Sequence, residues 1–222
     1  MRLDPAHKPL PKLLPADITG KLVMMIREPH RRIASGYTDN LHDCRAMQKE
    51  FGVKEYQTSP HPNQPSCTNA TEILRYAKCV EGCVLNMILG RYCSSGTKDR
   101  TKSDVDRAAR IIENESGFVG LTDLWSTSVC VFAALFPPII REKYDFNELF
   151  TNTNPSASPD CAKNVMEILR RYAYNDHYDH KMYTTARKRF ESAQQRVVNT
   201  TTYVDCCDAA ISNGRPPCEI IS

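Results

Sequence analysis

Two short apolar runs constrain the fold of this chain more than any other feature. Lys21–Arg27 reads KLVMMIR and Phe118–Thr122 reads FVGLT, and each leads straight into a helix start. Proline is favoured in the first turn of a helix, so Pro29 makes the first run a strand, a tight turn and a helix. From Asp123 onward the second run continues as a helix, with Leu124, Ser128, Val131, Phe132 and Leu135 on its inner face until Pro137-Pro138 end it. Strands separated by helices predict a parallel sheet. Two strands are too few for a full doubly wound sheet, so the expectation is a helix-rich α/β chain with part of its sheet missing.

The remaining segments read mostly as helix. Glu72–Leu89 is helical with a break near Gly82, and Ser103 with Asp106 resembles a capping box ahead of Val105, Ala108, Ala109 and Ile112. Val165, Ile168, Leu169 and Tyr172 follow helical spacing, as do Tyr183, Ala186, Phe190, Ala193 and Val197. Lys54–Ser66, Ser94–Lys102 and Thr151–Pro159 read as loops, and Asn213–Ser222 as an irregular tail. At 222 residues the chain is one domain with room for a small lobe, and it can bury a core without disulfides. Its longest nearly unbroken apolar stretch, Val129–Ile140, holds two prolines and falls short of the roughly 20 residues of a membrane span. A net charge of +3 is too mild to indicate nucleic acid without a clustered basic face.

Compartment is legible in the cysteines. There are ten, an even number, and three triplets fit the N-glycosylation acceptor pattern: Asn69-Ala70-Thr71, Asn114-Glu115-Ser116 and Asn199-Thr200-Thr201. Together they favour the secretory lumen and a disulfide-bonded glycoprotein. Met1–Pro15 carries no apolar run of signal-peptide type. Either the protein is cytosolic with many free thiols, or its true start lies upstream of Met1, and the second reading is preferred. A metal site is not expected. Cys79, Cys83 and Cys93 include no CxxC pair, and His177 and His180 have no fourth ligand at suitable spacing.

Chemistry concentrates in Arg27–Tyr37, REPHRRIASGY. Arg27 ends a strand, Pro29 opens a helix and Ser35 lies in the second turn. Ligands of open α/β sheets bind beyond the carboxyl ends of strands, and a helix N-terminus suits a phosphate. Arg27 offers a forked donor and Ser35 a hydroxyl. The same arrangement also occurs as plain architecture, with Arg31 and Arg32 on a solvated face.

The pattern R-x-P-x-x-R-x-x-S-x-Y, complete at Arg27, Pro29, Arg32, Ser35 and Tyr37, resembles the 3′-phosphate-binding motif of sulfotransferases that use 3′-phosphoadenosine-5′-phosphosulfate (PAPS). Phe118–Pro137, FVGLTDLWSTSVCVFAALFP, is similar to the strand-then-helix segment of Golgi carbohydrate sulfotransferases, with Asp123 where Glu is usual. Asp179-His-Lys-Met-Tyr183 with Phe190 resembles their late helix, and Gly82-Cys83, Met87 and Gly90 add a weaker likeness. The likeness runs from about Lys21 to Val197, nearest the galactose- and uronyl-directed enzymes. It implies a P-loop-NTPase-like sulfotransferase fold with a parallel sheet flanked by helices. The implied organisation is an N-terminal segment (1–20), a sulfotransferase domain (21–204) and a Cys-containing tail (205–222). It also implies PAPS as donor, a glycan acceptor, no nucleic acid, no metal and a Golgi lumenal location, reached in the full-length form through a type II membrane anchor. Arg27 and Ser35 would hold the 3′-phosphate, with Arg32 also a donor ligand, while Tyr37 matches the motif and packs the helix.

Departures from the family pattern stand beside this. The family's 5′-phosphosulfate loop and signal anchor belong upstream of Arg27, where the 26 residues contain neither. Gly96-Thr97-Lys98 comes after the 3′ motif and is rejected. Two readings stay open: an N-terminally truncated enzyme, and a non-catalytic lumenal module on a degenerate sulfotransferase fold. A P-loop kinase would need GxxxxGK[ST], which is absent. The family's base is a histidine some twenty residues before the motif arginine. His7 stands at that distance, although its KPLPK neighbours do not match the family strand. His30 and His42 read as surface residues, and His177 and His180 as solvated.

Overall fold

The two apolar runs form strands and pair with each other. In this computed structural model, which describes residues 20–52, 66–94, 100–136 and 159–212, β1 (Leu22–Ile26) and β2 (Ser116–Leu121) are parallel, with Val23 opposite Phe118 and Ile26 opposite Leu121. Nine α-helices are described: α1 (Pro29–Thr38), α2 (Arg45–Phe51), α3 (Ala70–Cys79), α4 (Cys83–Ile88), α5 (Lys102–Arg110), α6 (Trp125–Leu135), α7 (Pro159–Arg171), α8 (His177–Val197) and α9 (Thr201–Ser212). A π-helical turn (Ile111–Glu115) precedes β2 and a 3₁₀ turn (Thr122–Leu124) follows it. The chain is thus a helix-rich α/β protein with a small parallel sheet among the described residues. It divides into two compact units.

The first unit holds residues 29–52, 66–94, 100–111 and 159–182 of those described. Its core gathers the apolar faces of α1, α2, α3 and α7, including Ile33, Tyr37, Met47, Ile73, Tyr76, Val165 and Leu169. Tyr37 and Tyr76 meet edge to face at 5.5 Å, and each hydroxyl finds a carbonyl, Ser66 O at 3.0 Å and His42 O at 2.7 Å. Buried tyrosines need such partners. Burial holds the Tyr37 hydroxyl well above its usual pKa, so it stays a protonated donor. Three disulfides tie this unit: Cys44–Cys79, Cys67–Cys161 and Cys83–Cys93. The expected helix break falls at Gly82, whose φ of 64° separates α3 from α4. The capping box lies two residues earlier than expected, with Thr101 and Asp104 exchanging bonds at the start of α5. Tyr172, expected on the inner face of α7, is 56% exposed because the helix ends at Arg171.

The second unit holds residues 20–28, 112–136 and 183–212 of those described. Helix α6 packs on β2 and on α9. The Ser128 side chain accepts from Leu121 N–H at 2.9 Å and donates to Leu121 O at 3.0 Å, closing the end of β2. Phe118 and Phe132 meet at 5.2 Å, and Cys130–Cys206 staples α6 to α9. A Cβ at Gly117 would strike the Gly20 carbonyl, so glycine there permits the 2.7 Å bond from Gly20 N–H to Glu115 O. The sequence boundary at 204/205 falls inside α9, whose Cys206 and Ala210 are buried. The expected loop over 54–65 and most of Thr151–Pro159, the Pro137-Pro138 stop and the irregular tail lie outside the described residues.

Candidate functional site

The carboxyl ends of the two strands are joined by side chains in the second unit. Parallel register places the residues after Ile26 beside those after Leu121. Arg27, exposed, donates from Nε to Thr122 Oγ1 at 3.2 Å. The Glu28 amide donates to Asp123 Oδ2 at 2.8 Å. Asp123 therefore clamps the exit of β1, while Thr122 holds one nitrogen of the Arg27 fork. An exposed guanidinium at the carboxyl end of a parallel strand is a donor suited to a phosphate.

Helix α1 follows directly in sequence and belongs to the first unit. Its first turn reads Pro29-His30-Arg31-Arg32 and contains no carboxylate. Cations at a helix N-terminus oppose the macrodipole, whereas an anion complements it. Ser35 is half-buried, and its hydroxyl has no hydrogen-bond partner among the described residues. His30 is half-buried against Tyr174 O at 2.9 Å, and the His42 side chain is only 11% exposed, so neither is a surface residue.

Arg32 has a different occupation from the one its motif position suggested. Its Nη2 lies 3.0 Å from Val80 O, 3.1 Å from Asp179 Oδ2 and 3.4 Å from Asp176 Oδ2. Both carboxylates are buried. Asp176 Oδ2 accepts from Gly82 N–H at 2.8 Å, and its Oδ1 caps the start of α8 by accepting from Asp179 N–H at 3.1 Å. Asp179 accepts the Leu85 and Val84 amides through Oδ1 and Oδ2 at 3.1 Å each, serving the first turn of α4. Burial raises the Asp179 carboxyl to about 6; Arg32 and the two amides oppose that rise, and Asp176 adds to it. One arginine thus ties α1 to the beginnings of α4 and α8. Asp176 was not singled out in the sequence, although a carboxylate just before a helix is a cap signal.

His7, the candidate base, lies outside the described residues. His177 and His180 are exposed on α8. Among the described residues, Asp43, Cys83 and Cys93 form a group close enough to hold a cation, but both sulfurs are joined in a disulfide and present no thiolate. No family model, curated protein or solved structure matches this chain.

Proposed function

We propose that this chain belongs to a carbohydrate sulfotransferase that uses PAPS as its donor, on a P-loop-like sulfotransferase fold, with Arg27 and Ser35 assigned to the 3′-phosphate. The observation that carries the proposal is Arg27: a solvent-exposed arginine at the carboxyl end of a parallel strand, oriented by Thr122, heading a complete R-x-P-x-x-R-x-x-S-x-Y segment. The pairing of Arg27 with Ser35 in this proposal comes from the sequence motif that contains both. In this proposal Arg32 holds α1 in place and does not touch the donor.

In sulfuryl transfer an acceptor hydroxyl oxygen attacks sulfur in line. The bond from sulfur to the donor's phosphate oxygen breaks, 3′,5′-bisphosphoadenosine leaves, and the acceptor proton passes to a base. Positioning and stabilisation of the charge growing on the leaving phosphate supply most of the rate. A held 3′-phosphate contributes by fixing the far end of the donor, so its binding energy orients the reacting end. A glycan acceptor and a Golgi lumenal location belong to the proposal, and the disulfides support an oxidising compartment. No described helix is long and apolar enough to cross a membrane.

Calorimetry with 3′,5′-bisphosphoadenosine and with AMP tests this. The bisphosphate is expected to bind at least tenfold tighter. Arg27→Ala should remove that preference, because a hydrogen bond to a charged group contributes about 1.5–3 kcal/mol, or roughly 10–100-fold. Ser35→Ala should weaken it by a smaller factor. Equal affinity for the two nucleotides, or a preference unchanged in Arg27→Ala, overturns the assignment.

A further inference from the structure

We propose that Asn199 carries an N-linked glycan. The inference does not depend on the sulfotransferase reading. It rests on the turn between α8 and α9, where Asn199, Thr200 and Thr201 are all exposed. The middle residue shapes that turn. Thr200 Oγ1 donates to Val197 O at 2.8 Å and accepts from Tyr203 N–H at 3.3 Å, capping α9. The two residues that a glycosyl transfer needs, the Asn199 carboxamide and the Thr201 hydroxyl, have no hydrogen-bond partner among the described residues. Among the described residues, a bulky sugar at this position displaces no packed side chain and breaks no hydrogen bond.

The other two acceptor triplets are built into the fold. Asn69 Oδ1 caps α3 by accepting from Thr71 N–H at 3.1 Å and Glu72 N–H at 3.3 Å, and the residue is half-buried, two positions after the bridged Cys67. Asn114 lies in the π-helical turn, and its triplet ends in Ser116, which is buried at the start of β2 with its hydroxyl donating to Ile112 O at 2.5 Å. Four disulfides, with Cys207 also bridged, fit an oxidising compartment such as the one where lipid-linked oligosaccharides are available. In the transfer, Asn199 Nδ2 attacks C1 of the reducing-end sugar of a lipid-pyrophosphate oligosaccharide. The new C–N bond forms, the C–O bond to pyrophosphate breaks, the lipid pyrophosphate leaves, and the amide proton passes to a base of the transferase.

The test expresses the full chain behind a cleavable signal sequence in eukaryotic cells and reads lumenal protein, secreted or retained, by peptide mass mapping before and after N-glycosidase. The Asn199 peptide should carry the glycan in most copies. Asn199→Gln and Thr201→Ala should each remove one glycan from the intact mass, Thr201→Ser should keep it, and Asn114→Gln should leave the Asn199 glycan in place. An unmodified Asn199 peptide from disulfide-bonded protein overturns the proposal. So does a single glycan that only Asn69→Gln removes.

Discussion

Replacing Arg32 with alanine is expected to destabilise the first unit by about 3–5 kcal/mol at neutral pH, the range seen when one partner of a buried ion pair is removed. The loss comes from what is left behind: two buried carboxylates whose shared cation is gone. It should depend on pH. The folded state holds a proton on Asp179 more tightly than the unfolded chain does, with a folded pKa of about 6 against an ordinary 3.8. Stability from this group therefore rises as pH falls from above 6 toward 4, and is lost as pH rises through 6. The Arg32→Ala penalty should be largest above pH 6 and shrink in acid, as protonation relieves the unpaired charge. Other charged or titratable groups around the cluster are Asp176, Tyr174, Glu81 with its partner Lys78, and Arg100, which donates to Glu81 O. Urea titrations from pH 4.5 to 7.5 provide the measurement, with Asp179→Asn as the second background. There the arginine deletion should cost less and the pH slope should flatten. A penalty equal in both backgrounds and constant with pH would show that Arg32 acts through packing alone.

The second large effect is expected at Cys67–Cys161. This bridge spans 94 residues and joins the segment before α3 to the first turn of α7. Constraint of the unfolded chain grows with loop length, so the Cys67→Ser/Cys161→Ser variant should lose about 4–5 kcal/mol. The Cys83–Cys93 bridge closes only a 10-residue separation, and the matching double serine variant should lose about 2–3 kcal/mol on the same scale. Unfolding midpoints for the two variants under one set of conditions decide the matter. An equal loss, or the reverse order, would mean that native-state packing around the sulfurs outweighs the loop term.

How far the sequence could be read depended on the range of the interactions. Elements set by neighbouring residues were legible: the two strands, the proline-started α1, the break at Gly82, and the inward spacing of Val165, Ile168 and Leu169. A shift of two residues came from near-equivalent local signals, where Thr101 with Asp104 serves as the capping box in place of Ser103 with Asp106. The start of α9 was hidden because TTYVDCC has no clean apolar period, and the helix is held by the Cys130–Cys206 bridge and by Gln194 donating to the Tyr203 hydroxyl. At the candidate site, Arg27 stood out because a strand end and a proline mark it. The occupation of Arg32 did not, since its carboxylate partners lie 144 or more residues away and no local pattern links them.

Chain order also bears on how the first unit oxidises. A ribosome delivers Cys44 and then Cys67 before Cys79 exists, yet the native partner of Cys44 is Cys79 and that of Cys67 is Cys161. The two loops interleave, and of the four described bridges only Cys83–Cys93 joins cysteines that are consecutive in the chain. Pairing in order of emergence would link Cys44 to Cys67 and block both native bonds. Maturation is therefore expected to use either a holding factor that keeps Cys67 reduced until α7 arrives, or an isomerase that undoes the early bond by thiol exchange, a step of minutes to hours unaided. The bridge map makes biogenesis of this protein a task for a disulfide-exchange catalyst, and its yield should follow the supply of that catalyst more closely than the supply of oxidant.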